Sequence, residues 1–349
     1  MITGDSKKAI VISIDAMGGD YAPDCTIEGI DIFAKSHKDV SFKVFGDESL
    51  ILPLLEKYPY AKKSVKEIIH TDSYVKSDEK PSVAVRSGRK SSMGLAINSV
   101  KQGVADACVS AGNTGALMAM SKLSLRMLSG ISRPAIVSVV PSRNGRFVML
   151  DLGANIESDA ADLARFAVMG KIYCQAMLRV ENPTVGLLNI GSEDIKGRDE
   201  VKEAARILKG NPEEINFHGF IEGNEIGQGV VDVVVTDGFS GNIALKTMEG
   251  TAKMIAGSIK DGFKKSWLAK IGFLFLLPML KEFKKKYDPR IHNGAMFIGL
   301  DGISIKSHGN ADGFAFSKAI EAANNLVKHD IKRKIKESVE NYHILSELL

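Results

Sequence analysis

The sequence predicts an α/β protein of three layers, with helices on both faces of a mostly parallel sheet. Short β-branched runs alternate with longer amphipathic stretches along nearly the whole chain, the pattern of strands joined by crossover helices. Most runs end in clusters of Gly, Asp and Asn, residues that turn a strand into a helix. The length of 349 residues exceeds one ordinary core and falls short of three. A single unit, 1–349, of two interlocked lobes is therefore expected.

The elements follow in order. Ile10–Ile14 is a β-branched strand that enters Gly18-Gly19-Asp20 and a helix over Thr26–Lys35. Val40–Phe45 is a strand leading through Gly46-Asp47-Glu48 to a helix ending at Lys57. Glu67–His70 is a shorter strand, followed by a polar loop and one helix from Ser82 to Lys101. Asp106–Ser110 runs into Gly112-Asn113-Thr114-Gly115 and the apolar helix Ala116–Leu128. Ala135–Pro141 and Arg146–Leu152 form a hairpin about Asn144-Gly145, the strongest short hairpin signal. Ala160–Leu178 is a helix, Thr184–Ile190 a strand and Glu200–Lys209 a helix. Val230–Thr236 is a strand before a long helix. Ala295–Leu300 and Ile303–Ser307 are strands, and Phe314–His329 begins a final helix. The lysines from Lys328 to Lys336 read as a solvated helix face.

Composition narrows the function. A 44% hydrophobic and 25% charged chain is an ordinary globular protein. Residues 1–15 lack the apolar core of a signal peptide, and the longest apolar run, Ile271–Leu280, has ten residues, too few to span a bilayer. Cys25, Cys108 and Cys174 are odd in number and far apart, which fits a reducing, cytoplasmic location without disulfides. A net charge of +4 is too mild to argue for nucleic acid. The seven histidines are scattered without a His-x-x-x-His pair or Cys/His cluster, so no metal is expected.

Four segments share one design of strand, small flexible residues and helix: Ser110–Gly115, Asp151–Asn155, Gly191–Gly197 and Asp237–Asn242. Glycines let backbone N–H groups turn toward a ligand, and a helix N-terminus favours an anion. Each loop read alone is equally an ordinary capped turn. Together, at the carboxyl ends of parallel strands, they are expected to gather the chemistry at one sheet edge. Neither a Walker loop nor a dinucleotide fingerprint is present.

These loops resemble blocks of the bacterial phosphate acyltransferase family that uses acyl-[acyl-carrier-protein]. Ile14-Asp15-Ala16-Met17-Gly18-Gly19-Asp20-Tyr21-Ala22-Pro23 is similar to its opening. Ser110–Ala116, Asp151–Asn155, Leu187–Gly191, Phe220–Asn224, Thr236–Asn242 and Ile305–Gly309 follow in the family's order. The resemblance covers roughly residues 9–330. Ser192-Glu193-Asp194 departs from it by being less acidic before Ile195-Lys196-Gly197. It implies a fold like isopropylmalate dehydrogenase and phosphate acetyltransferase, a homodimer, no metal, no nucleotide and hence no cofactor. It also implies transfer of a long-chain fatty acyl group from acyl carrier protein to inorganic phosphate, giving acyl phosphate for phospholipid synthesis.

In such a reaction phosphate is the nucleophile, so the enzyme must bind a dianion, stabilise an oxyanion and see the thiolate protonated. The absence of a Gly-x-Ser-x-Gly elbow agrees with this. Asn113, Thr114, Asn155, Ser240 and Asn242 are candidate donors to phosphate or carbonyl, with Gly191 as loop backbone. Lys196 is the candidate catalytic cation, since an ammonium in a Gly-rich loop suits phosphate; the alternative is a solvent-facing lysine. Asp15, Asp151 and Asp237 would orient Lys196, Lys306 or backbone donors. His308 is the candidate acid for the thiolate, against the alternative of a hydrogen-bonded turn histidine.

Residues 264–286 form an apolar tip flanked by lysines. Apolar residues bracketed by cations suit an anionic lipid surface. Phe273, Leu274, Leu276 and Leu277 are the expected membrane contacts, with acyl-chain or dimer packing as the rival. Two rival functions remain at this level: an acyltransferase acting on short acyl-CoA, and a non-catalytic membrane scaffold that would leave the donor-rich loops unexplained.

Overall fold

A computed structural model of the chain describes residues 9–264, 273, 275–279 and 288–342. Its centre is one sheet of eleven strands: β1 Ile10–Asp15, β2 Val40–Gly46, β3 Val65–His70, β4 Ala107–Ser110, β5 Ala135–Ser142, β6 Gly145–Leu150, β7 Thr184–Leu188, β8 Asn216–Ile221, β9 Val233–Val235, β10 Ala295–Ile298 and β11 Ile303–Lys306. The order across the sheet is β3-β2-β1-β4-β11-β10-β5-β6-β9-β7-β8. Seven neighbouring pairs are parallel and three are antiparallel.

Alternation along the strands builds two cores. On one face Ile12, Ile14, Val109, Val148, Leu150, Val233 and Ile305 meet helices α1 (Asp24–Ala34), α2 (Glu48–Lys57), α3 (Pro59–Ser64), α7 (Ala160–Leu178), α8 (Asp199–Lys209), α11 (Gly313–Lys328) and α12 (Ile331–Asn341). On the other, Cys108, Phe147, Met149, Val234 and Phe297 meet α4 (Pro81–Ser87), α5 (Ser92–Lys101), α6 (Thr114–Leu125), α9 (Gly223–Ile226) and α10 (Gly238–Lys264). The expected three-layer α/β architecture is thus present. The lysine-rich end is α12, which buries Ile331, Ile335 and Val339 and leaves Lys332, Lys334 and Lys336 outside the core.

Three local expectations need correction. The single helix over Ser82–Lys101 is two, because a 3-10 turn at Gly88–Lys90 intervenes and the Ser91 hydroxyl starts α5 by accepting the Gly94 N–H at 3.2 Å. Strand β8 had no sequence counterpart: it is an edge strand with only Phe220 and Ile221 buried, so its apolar pattern is weak. The candidate loops do not share one sheet edge. The β5–β6 hairpin reverses strand sense, and β9, β7 and β8 run parallel to β6. The carboxyl ends of β1, β4 and β11 therefore leave one edge, and those of β6, β7 and β9 leave the other. The Asn-Gly turn that predicts the hairpin also dictates this split.

Candidate active site

The β6–β9 edge is assembled around Asp151, which has no exposed surface. Its Oδ1 accepts the backbone N–H groups of Ile136 at 3.0 Å, Gly153 at 3.0 Å and Ala154 at 2.8 Å. Its Oδ2 accepts the Asn155 N–H at 2.8 Å and the Asn155 side-chain amide at 2.9 Å. Burial pushes the Asp151 carboxyl above the usual carboxylate value, while these donors pull it back. Asn155 also donates to Pro134 O at 2.7 Å, and Asn242 donates to Leu152 O at 3.0 Å. The side-chain amides assigned to phosphate here are engaged in holding the loop.

Asp237, buried like Asp151, does the same for the head of α10. It accepts the Ser240 N–H at 2.8 Å and hydroxyl at 3.0 Å, and it binds the Arg198 guanidinium. Arg198 stays half exposed just before α8 begins, a fixed cation that the sequence reading missed. Its one signal was an arginine directly after Gly197. Lys196 lies across Gly191 and pairs with Glu193 at 2.8 Å. The Glu193 partner holds its pKa above the ordinary lysine value. Asn189 pins this loop by donating to Gly191 O at 3.1 Å and Lys196 O at 3.0 Å. Gly197 sits at φ +92° with no room for a Cβ beside the Asn189 amide.

The other edge gathers the exits of β1, β4 and β11. Asn113 caps α6 by accepting the Ala116 N–H at 2.9 Å, and donates to Ser77 O at 2.8 Å and Glu79 O at 3.0 Å. Thr114, at the first turn of α6, is exposed. Lys306 donates to Ala111 O at 3.2 Å and to Ser307 O. Burial pushes its pKa down to about 8, against the pull of Asp15 and Asp20. Asp15 accepts the Ser110 hydroxyl at 2.6 Å; burial raises its pKa, and Ser110, Ser92, Met17 N–H and Lys306 oppose that rise. His308 donates its backbone N–H to Asn293 Oδ1 at 3.0 Å, and Asn293 donates to Ser307 Oγ at 2.8 Å. The His308 residue is exposed. Its pKa is nonetheless lowered, first by partial desolvation of the ring, then by Lys306, Lys246 and Lys253 acting against Glu249.

Lys196 and His308 thus lie at different sheet edges. Helix α10 runs between them: its first turn holds Asp237, and its Lys246, Glu249 and Lys253 act on His308. Among the expected membrane contacts, Phe273 and Leu277 are half-buried and Leu276 is exposed, beside exposed Phe275 and Met279. Leu274, Trp267, Lys281 and Lys284–Lys286 lie outside the described residues. Among the described residues no helix is long and apolar enough to cross a membrane.

A three-layer α/β fold with glycine-rich strand exits, fixed cations beside helix N-termini and a lysine perturbed by burial defines an enzyme that handles anions. The fold is that of phosphotransacetylases. A Streptococcus pyogenes phosphotransacetylase superposes with TM-score 0.61 at 19% identity, over 92% of this chain and 95% of that one. The EutD phosphotransacetylase of Staphylococcus aureus gives 0.60 at 16%, over 92% and 94%. Residues 10–334 match the model of the fatty acid synthesis protein family. The chain belongs to that family. Relatives named phosphate acyltransferase occur in Paramagnetospirillum magneticum (51% identical, covering 95% of this chain and 94% of that one) and Rhodospirillum centenum (52%, covering 94% and 92%). The chain is an acyltransferase of lipid synthesis.

The Asp151 anchor gives a stability prediction. Asp151→Asn replaces one acceptor oxygen with an amide that faces two N–H donors of Asn155. Losing two charge-assisted hydrogen bonds costs at least about 3 kcal/mol. Chemical denaturation should show that drop in unfolding free energy; an unchanged midpoint would remove Asp151 as the anchor.

Proposed function

We propose that the chain transfers a long-chain fatty acyl group from acyl carrier protein to inorganic phosphate, releasing acyl phosphate. The observation that carries the site assignment is the placement of three groups at the strand exits of one edge, that of β1, β4 and β11. Lys306 is a half-buried cation, Thr114 marks a helix N-terminus, and His308 is an exposed residue whose ring is held below the usual histidine pKa by partial desolvation. Hydrogen phosphate attacks the thioester carbon through one oxygen, and the oxyanion collapses to expel the carrier thiolate. The proton on phosphate ends on that sulfur, so no external acid is needed. A neutral imidazole suits this relay: it accepts the phosphate proton and hands it to the thiolate. Lys306 and the first turn of α6 would stabilise the oxyanion or dianion.

The β6–β9 edge supports a second reading. Arg198 fixed on Asp237 and exposed Lys196 beside the head of α10 form another anion site. Purified protein given palmitoyl-carrier protein and phosphate should form acyl phosphate, with little turnover of acetyl-CoA; the reverse preference makes it a short-chain enzyme. His308→Gln should lower kcat roughly a hundredfold, and Lys196→Ala should lower it less. The opposite order moves the chemistry to the Arg198 edge. If the Lys306 ammonium is required, kcat/KM falls as pH rises past about 8, where Lys306 loses its proton. Absence of that descending limb excludes the role.

The homodimer is proposed from α10. Residues 250–262 are exposed at every position, including Met254, Ile255 and Ile259. Met248, Ala252, Ile255 and Ile259 recur at spacings of four, three and four, a coiled-coil seam that fits the same helix of a second copy. Ile255→Glu with Ile259→Glu should give a folded monomer by light scattering; a persistent dimer rejects this interface.

A cytoplasmic protein touching the membrane peripherally is proposed from the exposed Phe275, Leu276 and Met279. The protein should sediment with anionic vesicles, and Leu276→Glu with Met279→Glu should abolish this. Parent protein that never sediments rules out lipid contact.

A further inference from the structure

One surface takes no part in the chemistry of either edge. Between Lys76 and Lys90 the chain carries five cations, Lys76, Lys80, Arg86, Arg89 and Lys90, against two carboxylates, Asp78 and Glu79. All five cations are exposed, and among the described residues none has an ion-pair partner. Helix α8 is the contrast: Lys202 pairs with Asp199, Arg206 with Glu203 and Lys209 with Asp194. Charges on α8 are neutralised within the chain, whereas those of the Lys76–Lys90 segment project a positive field into solvent.

The segment is mounted rigidly. Gly88 lies close against Met120 and Val75, leaving a Cβ only 3.2–3.3 Å from them. Thr71 Oγ1 holds Lys90 O at 2.9 Å, and Ser92 N–H bonds Ser73 O at 2.9 Å. At its start the segment crosses the head of α6. Asn113 donates to Ser77 O and Glu79 O, and a Cβ on Gly115 would meet Pro81 Cγ at 2.8 Å. The start of the segment therefore borders the head of α6, where Thr114 lies. Val83, 48% exposed, is an apolar point among them.

We propose that α4 and the 3-10 turn after it form the docking surface for an acidic carrier protein that presents its acyl thioester to the Thr114–His308 edge. The inference rests on the acyl-carrier reading above. A carrier that holds its cargo on a flexible arm must bind beside the reaction edge rather than within it, on a firm surface of opposite charge. Cations without internal partners supply attraction and orientation at the rim, and Val83 supplies a small dry contact.

The test uses the whole enzyme with palmitoyl-carrier protein and phosphate. Arg86→Glu with Arg89→Glu should raise the KM for the carrier substrate at least roughly tenfold, leaving the KM for phosphate in place. Arg86→Gln with Arg89→Gln should give a smaller rise in the same direction, and guards against a folding defect in the reversal variant. Lys202→Glu with Arg206→Glu on α8, with the same change of net charge, should stay within about twofold of the parent. A carrier KM unchanged in the α4 variants, or raised equally by the α8 variant, overturns the docking surface and leaves the reaction standing. Loss of vesicle binding by the α4 variants with a normal carrier KM would make the patch a lipid contact and also overturn it. A parent that forms no acyl phosphate from the carrier substrate overturns the functional reading, and the docking surface with it.

Discussion

Strand β5 carries the continuity of the sheet. Its first residues, Ala135–Val137, bond to β10, and its remaining residues, from Ser138 to Ser142, bond to β6. Among the described residues the two halves of the sheet share no other strand. The joint is closed by the Asp151 carboxylate, which returns from the end of β6 to take the N–H of Ile136 within β5. A buried carboxylate with five N–H donors converges on one geometry, because any rearrangement would leave charge or donors unpaired in a dry interior. The exits of β6 and β9 follow from this: Gly238 donates to Asn155 O at 2.8 Å, and Gly241 packs against Asp151 O where no Cβ would fit. The head of α10 is thereby fixed to the same joint.

The two edges are built on different electrostatic terms. At the β6–β9 edge the cations Lys196 and Arg198 are solvated and answered by carboxylates. At the β1–β4–β11 edge Lys306 is held by carbonyl oxygens and crowded by protein, and its proton is correspondingly loose. A desolvated ammonium with a pKa near the working range is a costly arrangement that ordinary packing does not require. In the proposed reading, chemistry belongs to the second edge and anion attraction to the first.

Much of the architecture was legible because alternation and turn chemistry are local properties. Val40–Phe45, Ala160–Leu178 and Asn144-Gly145 each declare their element within a few residues. The directions of the strands were also encoded, since an Asn-Gly hairpin in an otherwise parallel pattern must invert all that pairs beyond it. Site residues were harder to read. Asn113, Asn155 and Asn242 have the chemistry of ligand donors, and only in the folded chain does each meet the backbone carbonyl it bonds. Arg198 carried no motif; its position depends on Asp237, 39 residues away. Lys306 was visible as a lysine, but its desolvation arises from three strand exits that meet only in the folded state.

Helix α10 contains Gly250, Gly257 and Gly262, each with open space where a Cβ would stand. Glycine in a helix interior costs about 1 kcal/mol relative to alanine, and among the described residues no packing offsets it at these positions. The same bare positions let a second backbone approach closely. In the proposed dimer, the order of this helix and the association of two chains become one equilibrium. Its extent is then set by mass action: dilution would loosen the helix whose Lys246, Glu249 and Lys253 act on His308, making specific activity depend on protein concentration.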